Sequence, residues 1–280
     1  MASKAAVTLI SKEEYAPPKQ SGPVGTTDVR IVTPSEYREA AVSLARAFEH
    51  DPTSRYPLYT KDMEEYSDEY KYQLHASILE CLVYAYTLSG LVTTVGPDYA
   101  SVALISPPGT SIDDWVTIFR SGFWRLYFKL SGEGSKRFFN EFLPLLHDTK
   151  QSVMGDRDND SYYLVYLGTK PGEEGKGYGK ALIEHMTRQA DAEGRACYLE
   201  SSAVKNNGMY ERRGFRMKRK IYLSRGEVPI PIDIMVREPA NPAKSSGTAT
   251  TVTTNQTGSF ALTVDMEGLT GVNGGSSATV

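Results

Sequence analysis

The sequence predicts an α/β chain of the α+β kind, with one folded domain over residues 28–239. Three observations predict it. Tyr162–Thr169 is an apolar, β-branched and aromatic run broken by Lys170-Pro171-Gly172, after which Ala181, Leu182, His185, Met186 and Ala190 recur at helical spacing up to Gly194. A buried strand thus hands over to a helix through a glycine-rich turn. Leu91–Val95 and Ala100–Ile105 flank Gly96-Pro97-Asp98-Tyr99 and read as a hairpin. Asp28–Thr33 reads as a strand feeding a helix opened by Pro34-Ser35-Glu36, with Tyr37, Ala40, Ala41, Leu44, Ala45 and Phe48 on one face.

The remaining elements follow in order. Residues 1–27 are rich in Lys, Pro, Ser and Gly and are expected to be a mobile arm, with Val7–Ile10 as a short strand at most. Lys61–Leu88 is helical, ended by Gly90. The stretch from about 111 to 150 is an aromatic helical insert holding Trp115, Phe119, Phe123, Trp124, Tyr127, Phe128, Phe138, Phe139 and Phe142, rings that either pack the core or line a pocket. Asp156, Asp158 and Asp160 alternate like the start of a calcium loop. Ser161 and Leu167 stand where such a loop needs Gly and Glu, so a solvated turn is expected and a cation site is left open. Strands at Ala196–Ser202, Arg216–Leu223 and Ile230–Arg237 complete the domain, and residues 240–280 turn to Thr, Ser, Gly and Asn, a low-complexity tail expected to be disordered.

Composition narrows the function. With 280 residues and 40% hydrophobic content the chain can bury one sizeable core. A net charge of −3 supplies no basic field, so no nucleic-acid partner is expected. No apolar span has the length of a membrane helix and the N-terminus has no signal-peptide core, so no membrane partner is expected either. The two cysteines, Cys81 and Cys197, sit in separate apolar runs and read as reduced, buried thiols. A cytoplasmic location follows, with the nucleus left open.

The glycine-rich turn is Glu174-Gly175-Lys176-Gly177-Tyr178-Gly179-Lys180. At a helix start the free N–H groups and the positive dipole end favour a phosphate. No Gly-Lys here is followed by Ser or Thr, which excludes a Walker A loop, and the even spacing of Gly175, Gly177 and Gly179 excludes the dinucleotide fingerprint. The turn resembles instead the [QR]-x-x-G-x-[GA] acyl-CoA loop of the GCN5-related N-acetyltransferase (GNAT) superfamily, with Glu174 departing from the usual Gln or Arg. Downstream, the Leu199-Glu200-Ser201-Ser202 strand and Tyr210-Glu211-Arg212-Arg213-Gly214-Phe215 resemble the family's Y-[EK]-x-x-G-F closing helix, and together with Met235–Pro239 they are similar to the puromycin N-acetyltransferase branch and its fungal relatives.

The resemblance implies a mixed, mostly antiparallel sheet flanked by helices and splayed at an acetyl-CoA site. It implies acetyl-CoA as cosubstrate, no metal, and direct transfer of the acetyl group to a primary amine, of a small molecule or xenobiotic in the puromycin-like branch. A peptide or protein acceptor and a non-catalytic acyl-CoA-binding module are the alternatives. Carried onto this chain, Leu167, Gly168 and Thr169 would meet the pantetheine arm. Glu174, Gly175, Lys176, Gly177, Tyr178, Gly179 and Lys180 would cradle the pyrophosphate, and Asn207 would complete the donor site. Tyr210 is the candidate general acid, its other reading being ring packing. Glu200 is the candidate base, and a hydrogen-bonding role is its other reading. His147 is a second base candidate, alternatively a packed or capping histidine. His50 and Asp51, in Phe48-Glu49-His50-Asp51-Pro52, stand at the start of the acceptor loop or at a plain helix end.

Overall fold

The computed structural model describes residues 28–110, 117 and 120–240. The proposed N-terminal arm, the low-complexity tail, and Trp115 and Phe119 of the insert lie outside the described residues.

A seven-stranded sheet in the order β1-β2-β3-β4-β5-β7-β6 forms the centre. Its strands are β1 (Arg30–Ile31), β2 (Leu91–Val95), β3 (Ser101–Ser106), β4 (Tyr162–Thr169), β5 (Cys197–Ser201), β6 (Arg216–Leu223) and β7 (Ile230–Arg237). Every pairing is antiparallel except β4 with β5, whose crossover carries a helix as a parallel connection requires. The expected strand at 28–33 shrinks to two paired residues, because Thr33 already turns, donating its amide to the Glu36 carboxylate.

The main helices are α1 (Tyr37–Phe48), α2 (Pro52–Arg55), α3 (Asp68–Ser89), α4 (Leu143–Met154), α5 (Tyr178–Glu193) and α6 (Asn207–Glu211). The long helix expected from Lys61 starts later, at Asp68, where the Ser67 hydroxyl accepts from the Tyr70 amide as an N-cap. In the insert, Gly132–Ser135, a π-helical stretch Lys136–Phe142 and α4 run on without a break.

The sheet divides the core. On one face α5 presses Leu182, Ile183, Met186 and Ala190 against Ala103, Ile105, Leu164, Cys197 and Leu199. The other face carries α1 and α3 over β2–β4, and α4 over β5–β7, where Leu145, Leu146 and Val153 meet Tyr198, Ile232 and Ile234. The insert's rings divide in the same way: Phe138 is buried and stacks with Phe142 at 6.0 Å, whereas Phe128 is 71% exposed.

Gly168 shows why α1 sits so close to β4. A Cβ there would lie 2.8 Å from Ala47 Cβ and 2.9 Å from Leu44 Cδ2 and Phe48 Cε2. Gly168→Ala is expected to push α1 off the sheet and cost ~1–3 kcal/mol in urea unfolding, the usual cost of overpacking.

Candidate functional site

β4 and β5 part company inside the sheet. Their register runs Tyr162↔Cys197, Tyr163↔Tyr198 and Leu164↔Leu199, and then stops. Just beyond, β4 shifts by one residue against β3, pairing Ile105 with Leu164 but Leu104 with Tyr166, so Val165 is an extra residue in the strand. Such a bulge bends and twists its strand, and here it turns β4 away from β5. Lys170 donates its amide to Ala100 O on the β3 side. By strand alternation Gly168 also faces β3, while Leu167 and Thr169 turn their N–H and C=O groups into the gap.

The glycine-rich turn stands beside this gap. Gly177 begins α5 at φ +85° and no side chain caps the helix, which leaves the first-turn amides of Tyr178, Gly179 and Lys180 without a helical partner. Gly175 and Gly177 hold φ +76° and +85°, and a Cβ at either would meet nothing within 4 Å, so glycine is there for conformation and open access. Gly179 has ordinary backbone angles, and its Cβ would touch Leu167 and Thr169 at 3.9 Å and Met209 at 4.0 Å, placing the loop, the end of β4 and α6 side by side. The Tyr178 side chain is buried under the β2–β3 turn against Gly96, so only its backbone faces outward.

Glu174, the departure from the loop pattern, is exposed and accepts from the Gly172 amide at 2.6 Å. Its carboxylate tightens the turn. Lys176 pairs with Glu173 at 2.8 Å, and Lys180 lies 3.8 Å from Glu184.

Across the gap, α6 presents Tyr210, 7% exposed and packed edge-on against Phe215 at 5.9 Å. Burial pushes its phenol up to about 12, which keeps it protonated at neutral pH. Asn207 donates to Asp233 Oδ2 at 2.7 Å while its Oδ1 is buried without a partner among the described residues. Asp233, 2% exposed, also pairs with Lys220 at 2.5 Å.

The opposite face of the gap carries a carboxylate among tyrosines. Glu200 shares the strand face of Tyr198, and its Oε1 is buried with no hydrogen-bond partner among the described residues. Burial pushes its pKa up to about 7, against the Tyr163 and Tyr198 hydroxyls and the Lys150 ammonium, which favour the charged form. Tyr163 and Tyr198 meet edge-to-face at 5.4 Å. Burial also raises the Tyr166 phenol, with Asp51 adding to it. Asp51 caps α2 through the Ser54 amide at 3.0 Å and receives the Ser202 hydroxyl at 2.6 Å, tying the acceptor-side loop to the end of β5.

His147, the second base candidate, is exposed on α4 and is not brought into this group. The stripe through Phe142, Leu146, Lys150 and Val153 faces the sheet, and it turns Lys150 inward in place of the histidine. Helical periodicity running through Lys150 was the signal that could have found it. His50 is also exposed, lining a separate cavity of about 150 Å³ with Arg55, Lys71 and His75. Asp158 and Asp160 are engaged by Lys150 and Arg195, and no cluster of metal-ligating side chains occurs among the described residues. Cys197 is buried and Cys81 half-buried, and burial raises both thiols. No helix among the described residues is long and apolar enough to cross a membrane.

The profile of the acetyltransferase (GNAT) domain matches residues 147–217, which include β4, the glycine turn, β5 and α6. An uncharacterized N-acetyltransferase of Schizosaccharomyces pombe is 44% identical over 218 residues, 78% of this chain and 86% of that protein. The crystal structure described as histone acetyltransferase HPA2 and related acetyltransferase from Corynebacterium glutamicum shares the fold, with a TM-score of 0.50 at 21% identity over 76% of this chain and 97% of that one. The chain belongs to the GNAT family of acetyltransferases.

Proposed function

We propose that this chain transfers the acetyl group of acetyl-CoA to a small-molecule primary amine, in a ternary complex within the gap between β4 and β5. The observation that carries the reading is the end of β4–β5 pairing at Leu164↔Leu199, with an uncapped glycine-bounded helix start on one side and a buried carboxylate on the other.

Acetyl-CoA supplies an activated thioester acyl group. In this reading the α5 amides hold its pyrophosphate, and Leu167 and Thr169 bond its amide arm as a missing strand would. A backbone N–H in the opened part of β4 meets the developing oxyanion. Glu200 takes the proton that an alkylammonium must lose before it can attack, since a free amine titrates near ~10. Tyr210 returns a proton to the leaving sulfur. A roof over the Glu200 face favours a small acceptor over a protein segment. Glu141 receives the Tyr56 hydroxyl and the Ser224 amide, and Glu133 pairs with Arg225, strapping the insert to the loop after α2 and to the β6–β7 turn.

Titrating the protein calorimetrically with acetyl-CoA, alongside thiol release against a panel of amines, tests the reading. Binding without release from any amine in the panel would count against it, and absence of binding would overturn it. Tyr210→Phe is expected to lower kcat ~10²–10⁴-fold, the scale of a lost general acid, with the acetyl-CoA Kd unchanged. A full-rate variant would remove Tyr210 as the acid.

A further inference from the structure

Lys150 occupies a position that neither the donor loop nor the proposed chemistry accounts for. It projects from α4 into the face that carries Glu200, with its ammonium 5.7 Å from the centre of the Tyr163 ring and 5.9 Å from that of Tyr198. Asp158, on the turn after α4, holds it there through its carboxylate at 2.6 Å and its own carbonyl at 2.5 Å. A lysine on a flexible stem spends rotamer freedom to be fixed in this way. At these distances the ammonium is attracted to the negative faces of both rings.

The groups around Glu200 make that charge matter. Tyr163 of β4 and Tyr198 of β5 bear directly on Glu200, and Glu200 in turn acts on Tyr166, which also feels Tyr86 of α3 and Asp51 of the α2 cap. Arg219 on β6 acts on Tyr198, and its guanidinium lies 3.4 Å from Ser152 Oγ. Lys150 is a cation whose charge acts on Glu200.

We propose that Lys150 is a positioning residue of the acceptor site: tethered by Asp158 behind the Tyr163–Tyr198 pair, it places a fixed positive charge that lets Glu200 stand as a carboxylate inside an aromatic pocket. The inference deepens the assignment of Glu200 as base and rests on it for its catalytic meaning. Its physical content, the control of Glu200 ionisation by Lys150, is measurable without turnover.

The test uses the full chain as wild type, Lys150→Met, Lys150→Arg and Lys150→Gln. The titration of the Glu200 carboxyl is followed by carbon NMR, assigned by its disappearance in Glu200→Gln, together with the pH profile of kcat/KM. Lys150→Met is expected to raise the Glu200 midpoint by about one pH unit, the scale of losing a nearby opposite charge, and Lys150→Arg to restore it. Lys150→Gln, which keeps a polar side chain at the same place on the helix, should move it the same way, and it carries the test if Lys150→Met does not fold. A Glu200 midpoint unmoved in Lys150→Met, or in Lys150→Gln when that variant carries the test, overturns the inference. A midpoint that moves while the acidic limb of kcat/KM stays fixed upholds Lys150 and overturns Glu200 as the base.

Discussion

Glu200→Gln is expected to reduce kcat/KM for acetyl transfer by ~10²–10⁴-fold, the range of a lost general base, and to erase the acidic limb of the pH profile. With the carboxyl titrating at about 7, wild-type activity should climb as pH rises through that value. A variant that keeps the limb would assign the base elsewhere. The same substitution has a stability consequence of opposite sense. Below the ordinary value of 4.5 both folded and unfolded chains hold the proton, and the burial of Glu200 costs nothing in charge. Between 4.5 and about 7 the unfolded chain releases it first, so stability falls as pH rises, and above about 7 the whole cost is present. At ~1.4 kcal/mol per pKa unit that cost approaches ~3 kcal/mol. Glu200→Gln should therefore gain stability relative to wild type between pH 5 and pH 8 in urea unfolding. An equal difference at both pH values would mean that the carboxyl is not raised.

Gly177→Val should abolish acetyl-CoA binding, raising Kd by ~100-fold or more, about 2.7 kcal/mol at ~1.4 kcal/mol per tenfold. The φ of +85° is one that a β-branched residue resists, and the new side chain would stand in the open approach to the α5 amides. Gly179→Ala is the contrasting control. Its Cβ would make ordinary contacts at 3.9 Å with Leu167 and Thr169, so affinity should fall little. If both variants bind as wild type does, the glycine turn is not the donor site.

Much of this was legible because the signals are local. A strand, a glycine turn and a helix follow one another within residues 162–194, and φ-positive glycines announce themselves by type. Helical and strand periodicity placed α1, α3, β2, β3, β6 and β7 to within a few residues, apart from the late start of α3. What stayed hidden depends on how distant segments meet. Nothing local marks Val165 as the bulged residue, since the shift exists only against β3. His147 has the chemistry of a base, but the orientation of α4 is decided by Leu146 and Val153 packing on the sheet, and that turns Lys150 inward instead. Gly168, read as part of the donor strand, proves to be where α1 rests on β4, a contact between residues far apart in sequence.

The parting of β4 and β5 leaves the molecule with an interior edge, a place where the ladder is unfinished although neighbours flank it on both sides. Exposed edges invite any extended chain to complete them, and this one is finished only when something lies in it. Whatever fills the gap adds its binding free energy to folding through mass action, about 2.7 kcal/mol at a hundredfold excess over Kd. The thermal stability of the protein is then a gauge of how much gap-filling ligand surrounds it.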